Sequence, residues 1–480
     1  MMKSRRWLRR ALLLALSVAL ASCGNDPDND TAFRLIQASP DLPLVNLLVD
    51  DVVLRAAIDY RGGPGFLTVT PRTYKFGIEA SVVGQDGLFI NVPIVQPVQT
   101  SLEAGTEYTL VSIGKAATGT VQPLIIENPI EAVPGGNARL QFVHAAPDVP
   151  AVVDIYLTTV PPSPSLLPDL STQTPIAQVT YGQQPAPRQL VLPGTYVIRV
   201  AVPGATEPVF VSNEITLSDG NDFLIVAVNN ISAGLSPISL AVNSGFRAFF
   251  NPVGTFDIFD KDALAELRVV QVSPDAPALD IIGIGDSGLE PERTFATGLT
   301  YLADTGYVPT VPDTYTVRGV PSSDPSTATP LFTITGTLPV AVPTTLFTTG
   351  LVDSIDPLVL PGDIRPVFAQ GKLRIVDASP SSDTVDVYIL AAGTDFADPA
   401  VTPTLQNLAL RSATPYLPFF PRNYTVTFTV AGTKTVLAAA EVAATEGTVQ
   451  TAILVDAVRV DSSSDGKPPA VLLTNDLADQ

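Results

Sequence analysis

At 480 residues, with 45 prolines and 33 glycines, the chain is too long for one hydrophobic core and too rich in helix breakers for long helices. Apolar residues make up 46% and charged residues only 15%, which excludes a disordered chain; the abundance of Val, Leu, Ile and Thr points to strands. The formal net charge of −20 repels phosphate backbones and argues against a nucleic-acid partner.

The first 22 residues read as a targeting segment. Lys3, Arg5, Arg6, Arg9 and Arg10 form a basic front, and Ala11 to Leu20 is an apolar stretch too short to cross a bilayer, for which about 20 residues are needed. Leu20-Ala21-Ser22-Cys23 resembles the bacterial lipoprotein box, and Cys23 is the single cysteine of the chain. The resemblance implies cleavage before Cys23 and lipid attachment to it, with acyl chains each adding about 0.8 kcal/mol per buried methylene. Gly24, rather than an aspartate, follows the cysteine and points to the outer membrane, with the periplasmic or surface-facing side left open. Ser4-Arg5-Arg6-Trp7-Leu8 also resembles a twin-arginine export motif, so Sec and twin-arginine export both stand. Residues 23–31 read as an acidic tether. Without residues 1–22, which hold five basic and no acidic residues, 22 Lys+Arg face 47 Asp+Glu, a formal charge of −25.

Four related phrases follow: FRLIQASPDLPLVNL, LQFVHAAPDVPAVVDI, LRVVQVSPDAPALDI and LRIVDASPSSDTVDV. Their turn prolines, Pro40, Pro147, Pro274 and Pro380, are spaced by 107, 127 and 106 residues, a period suited to whole domains. Phe33, Leu140, Leu267 and Leu373 share one slot, and Leu35, Phe142, Val269 and Ile375 the slot two residues on. Arg34, Gln141, Arg268 and Arg374 stand between them, so each phrase predicts a half-buried strand with one polar face. Tyr60, Tyr181 and Tyr301 come next, followed 14 or 15 residues later by Tyr74, Tyr196 and Tyr315 in phrases such as LPGTYVIRV; Tyr424 lies in the corresponding FPRNYTVTF. A further turn leads to a last apolar strand, as in LEAGTEYTLVSI.

Many short strands with regular turns predict an all-β protein of four tandem immunoglobulin-like β-sandwich domains after the lipoprotein signal peptide. The repeats are placed at 32–129, 136–244, 264–362 and 370–476. Linkers are expected near 127–137 and 358–371, and a phenylalanine-rich connection at 245–263. There Phe246, Phe249, Phe250, Phe256 and Phe259 are expected to pack between the two halves. Each repeat carries a full set of strands, so residues 136–244 are expected to fold alone.

The opening and the later "GTY" phrase together resemble the domain-of-unknown-function 4397 family across nearly all of the chain after Cys23, best in the second and third repeats. That resemblance implies an exported β-sandwich and no activity.

Candidate chemistry is sparse. A hydrolase triad or zinc site would call on histidine or cysteine, and the chain holds one of each, His144 and Cys23. His144 shares a slot with Gln37, Gln271 and Asp377, which predicts a structural hydrogen bond to the following turn. The pairs Asp148 with Asp154, Asp275 with Asp280, and Asp41 with Asn46 raise a calcium site; Asp386 stands alone in the fourth repeat, where Ser381 replaces the turn acid. Turn capping by the first acid and solvent exposure of the second are the preferred reading. Asp461 to Gly466 begins like an EF-hand loop but places Leu472 at position twelve. No catalytic residue, metal or cofactor is assigned. The expected protein is a non-enzymatic, lipid-anchored cell-envelope module for interaction, adhesion or spacing, held to the membrane through Cys23 and meeting an envelope protein or glycan. A carbohydrate-active or ligand-binding lipoprotein using surface carboxylates is the alternative.

Overall fold

The computed structural model describes residues 30–160, 167–231, 233–245, 255–290, 292–326, 329–456 and 469–477. Among these, helix is confined to two single 3-10 turns, Leu170–Thr172 and Val352–Ser354. The rest of the regular structure is strand, arranged as eight sheets, two to a sandwich.

The first sandwich sets the pattern. Its strands are β1 (Thr31–Gln37), β2 (Val45–Val49), β3 (Val52–Ile58), β4 (Leu67–Val69), β5 (Thr73–Val83), β6 (Phe89–Ser101), β7 (Thr106–Ile113) and β8 (Gln122–Pro129). One sheet runs β4-β1-β7-β8 and the other β3-β2-β5-β6. The opening strand is therefore interior, antiparallel to β4 and parallel to β7, with Phe33 opposite Tyr108 and Gln37 opposite Ser112. In the constant-type immunoglobulin order the first strand lies at a sheet edge; here it is central. Its counterparts Ala138–His144, Ala265–Val270 and Gly371–Asp377 also run parallel to the late strand of their own unit.

Alternation along these strands builds the cores. Phe33 and Leu35 face Tyr74, Phe76 and Ile78 across the first sandwich, and Leu140 and Phe142 face Ile198 and Val200 across the second. Residues of the third and fourth units close on themselves in the same way.

The half-buried strand expected from the sequence is not what forms. All seven residues of β1 are buried, as are all seven of Ala138–His144. The reason is the neighbouring sandwich. Ile36, Val111, Ile113 and Leu124 on the outer face of the first unit share one apolar cluster with Val143, Leu224, Val226 and Val228 of the second. Val270 and Phe347 of the third unit meet Val376, Ile453 and Val455 of the fourth in the same way. Four repeats are thus two face-to-face pairs. An isolated second repeat would expose this outer face.

The described parts of the connections pair with the sandwiches. Leu358–Pro361 pairs with Thr344–Phe347 and completes the third unit, and Phe256–Ile258 extends the second unit's sheet beside Ile238–Ser244. Phe256 accordingly packs edge-on against Phe223 within the second sandwich, with ring centroids 5.9 Å apart. Phe259 lies under the Arg61 guanidinium of the first sandwich at 5.5 Å. Of the other three phenylalanines, Phe246, Phe249 and Phe250 fall outside the described residues.

Candidate functional site

The residues that recur across the repeats converge on the end of β1 and its counterparts. Gln37 accepts from the Ser39 N–H at 2.6 Å and donates to the Ser39 carbonyl at 3.1 Å. Gln271 accepts from Ser273 N–H at 2.8 Å, and Asp377 from Ser379 N–H at 3.2 Å. In the second unit the Ala146 N–H lies 3.3 Å from His144 Nδ1, and His144 Nε2 is 2.9 Å from the Pro150 carbonyl. An acceptor at Nδ1 and a donor at Nε2 describe the neutral ring, and burial lowers the His144 pKa in keeping with that. The four side chains are one device: each holds the turn that follows its strand.

The turn acids are also occupied. Asp41 accepts from Ala116 and Ala117 N–H at 2.8 and 2.9 Å, and Asp275 from Val352 N–H at 2.8 Å, tying the opening turn to the segment after the late strand. Asp148 binds Asn229 and, across the pair interface, Lys115. The second acids are not solvent-facing as expected. Asn46, Asp154, Asp280 and Asp386 are buried at 5–8% exposure. Three of them cap a left-handed residue in a bulged neighbouring strand: Ala57, Gly298 and Asn407 donate their N–H groups to Asn46, Asp280 and Asp386 at 2.8–3.1 Å. In the second unit, Gln178 donates to Asp154 instead. In the first and third units the two positions thus serve different backbone segments, and no cluster of three or more His, Cys, Asp or Glu able to hold a metal occurs among the described residues. Asp461 to Gly466 and Cys23 lie outside them.

The tyrosines divide into two sets. Tyr74, Tyr196, Tyr315 and Tyr424 each donate to the carbonyl four residues upstream, at 2.8–2.9 Å, closing a corner at the start of a strand. The earlier set spans the pairs. Tyr60 donates to the Asn229 carbonyl of the second unit at 2.8 Å, and Tyr181 of the second unit is hydrogen-bonded to the Gly114 backbone of the first. Tyr301 reaches the Asp456 carbonyl of the fourth unit. Repetition marked these positions in the sequence, but only the pairing explains them.

Beside each shared apolar stripe lies a buried polar patch, which takes in Arg34, Arg268 and Arg374 from the strand face expected to be polar and exposed. In the first pair, Arg139 holds Asp222 in a fork at 2.7 and 2.9 Å, Arg188 pairs with Glu107, and Arg34 donates to Thr109 and to the Ser244 carbonyl. Burial pushes the Arg34 pKa down to about 10, partly offset by Glu107 and Asp222. In the second pair, Arg268 bridges Asp304 and Asp476 at 2.8 and 2.6 Å, and Arg374 stacks 4.0 Å over Tyr416. A cleft of about 420 Å³ lies between the second and third sandwiches, lined in part by Asn213, Asp257, Lys261, Leu289 and Pro312.

With this geometry in place, the family comparison is decisive. The model of the family described as a domain of unknown function, DUF4397, matches residues 31–156, 265–388 and 371–480. The chain belongs to that family. The first match covers the first DUF4397 sandwich and the opening strands of the second, so most of the second repeat, expected to fit among the best, lies outside the matched residues. No curated protein matches the chain. Among solved structures it is similar to the Bacillus anthracis TIE protein, with 9% identity over 89% of this chain and 68% of that one and a TM-score of 0.15.

Proposed function

We propose that this DUF4397 protein is a lipid-anchored, non-enzymatic component of the cell envelope that acts as a stiff interaction or spacing module. The observation that carries the reading is the use made of the recurring polar residues. The Gln37, His144, Gln271 and Asp377 slot, the turn acids, the bulge-capping acids and the tyrosines all bond to backbone or to a neighbouring sandwich. What the repeats share is scaffold chemistry. Face-to-face pairing makes that scaffold rigid, as a spacer or display platform requires. The box ending at Cys23 supports attachment to a bacterial membrane, and a Gly24 after it supports the outer membrane.

Two measurements test the reading. Cys23→Ala is expected to move the protein from the membrane fraction to a soluble or uncleaved form and to abolish acyl labelling. Unchanged fractionation, with no acyl label on the wild type, removes the anchor. A pull-down and glycan array with the chain from residue 24 are expected to yield an envelope protein or glycan, whereas turnover of a bound glycan would make the protein an enzyme.

A further inference from the structure

Within each pair the sandwiches share an apolar cluster, but contact between the pairs is of another kind. Arg422 reaches the Gln85 carbonyl, and Ala233 bonds Leu264. The main tie is the short connection between the third and fourth units. Its Ile364 is buried with Tyr307 and Val449 of the second pair, while the next residue turns to the first sandwich. There Arg365, its side chain 5% exposed, donates to the Pro40 and Leu42 carbonyls at 3.1 and 2.7 Å and to Asp59 at 2.7 Å. The guanidinium also lies 5.4 Å from the Tyr60 ring. Phe368 N–H donates to the Asp41 carbonyl at 2.7 Å, and Phe368 and Ala369 lie against the first core. Asp363 shapes the segment by accepting from the Arg365 N–H and from Lys372.

The seat is specific to the first unit. Asp59 immediately precedes Tyr60, and the corresponding positions before Tyr181, Tyr301 and Leu410 hold Thr180, Thr300 and Ala409. Arg365 therefore finds a carboxylate in one repeat of the four, beside the turn that opens the chain's fold.

We infer that residues 363–369 form a latch tying the second pair to the first, with Arg365 and Asp59 as its catch. The two carbonyls alone leave a buried cation without a counter-charge, a costly arrangement. Lifting the segment returns the guanidinium to water and uncovers Val367, Phe368 and Ala369, while Ile364 stays with the second pair and neither shared apolar cluster is broken, so the latch opens while both pairs stay folded. Asp59 is half exposed, at 56% of its side chain, so salt weakens the catch.

The absence of any cysteine after Cys23 provides a direct test. In a Cys23→Ser background, Val367→Cys places a thiol at a position 3% exposed in the closed latch. Maleimide labelling without denaturant is expected to be slow in that background and at least about tenfold faster with Asp59→Asn or Arg365→Ala, the β circular dichroism and melting of the pairs being unchanged. Arg365→Lys, which keeps the charge and loses the fork, is expected to label at an intermediate rate. Raising salt is expected to speed labelling of the parent and of Arg365→Lys, and not of Asp59→Asn or Arg365→Ala. Equal labelling in the parent and in Asp59→Asn, or acceleration only in step with global unfolding, overturns the latch.

Discussion

The first and second pairs solve one packing problem with different polar chemistry. Both bury an apolar stripe from the late strands of each unit, Val111 against Val226 and its neighbours in one, Phe347 against Ile453 and Val455 in the other. In the first pair the hydroxyls of Tyr60 and Tyr181 cross in both directions. In the second only Tyr301 crosses, and the Arg411–Asp356 ion pair stands on the other side. Burial outweighs the charges around Arg34 and lowers its pKa, whereas Arg268, although burial alone would lower it, is raised by Asp304 and Asp476. The apolar stripe is the fixed requirement. The polar margin is not fixed in this way, and two different sets of residues form it.

The sharpest way to break the comparison is to charge the stripe. Val226→Asp and Ile453→Asp each bury a carboxylate at the centre of one interface, and each is expected to cost about 4 kcal/mol or more in denaturant unfolding. In residues 136–244 alone the same Val226→Asp is expected to be harmless to the fold and to convert a self-associating fragment into a monomer on ultracentrifugation. A wild-type fragment that is already monomeric would show that the outer face does not need a partner.

The turn slot distinguishes the pairs by pH. Burial, helped by Asp456, pushes the Asp377 pKa up to about 6. The folded state then holds a proton that the unfolded chain gives up near pH 4, so this stabilisation is complete below pH 4 and is lost as pH rises to 6. The loss amounts to about 3 kcal/mol at about 1.4 kcal/mol per unit, and Asp377→Asn is expected to abolish that slope in pH-dependent unfolding. His144 has the opposite sign. Its lowered pKa makes its stabilisation complete above pH 6.5 and progressively lost on acidification, so His144→Gln should flatten the acid side.

The smallest effects come from His144 at neutral pH. Glutamine can accept from the Ala146 N–H and donate to the Pro150 carbonyl, and His144→Gln is expected to change stability by less than about 1 kcal/mol. His144→Leu strands both groups and should cost about 1–3 kcal/mol in the same melt. A larger loss for Gln than for Leu would overturn the hydrogen-bonding role.

Most of the fold was legible because its signals are local. Period-two alternation in LQFVH, the proline turn after it and the recurring "GTY" phrase identify strands and corners without any knowledge of their neighbours. The role of His144 was legible for the same reason: its bond lies two residues away. Arg34 and Gln141 were misread because alternation tells which side of a strand faces its own core and says nothing about what covers the other side. Asp280 and Asp386 were misread because the left-handed residues they cap lie in a strand some 20 residues on, where Asn407 carries no distinctive spacing from its partner. The Arg365–Asp59 contact spans 306 residues and leaves no local trace.

Pairing also imposes an arithmetic on the chain. A single added repeat would bring an apolar outer face with nothing to cover it, and a single deleted repeat would orphan one already covered. Adding or removing one repeat is therefore expected to leave an apolar face uncovered, whereas a change of two repeats keeps every such face paired.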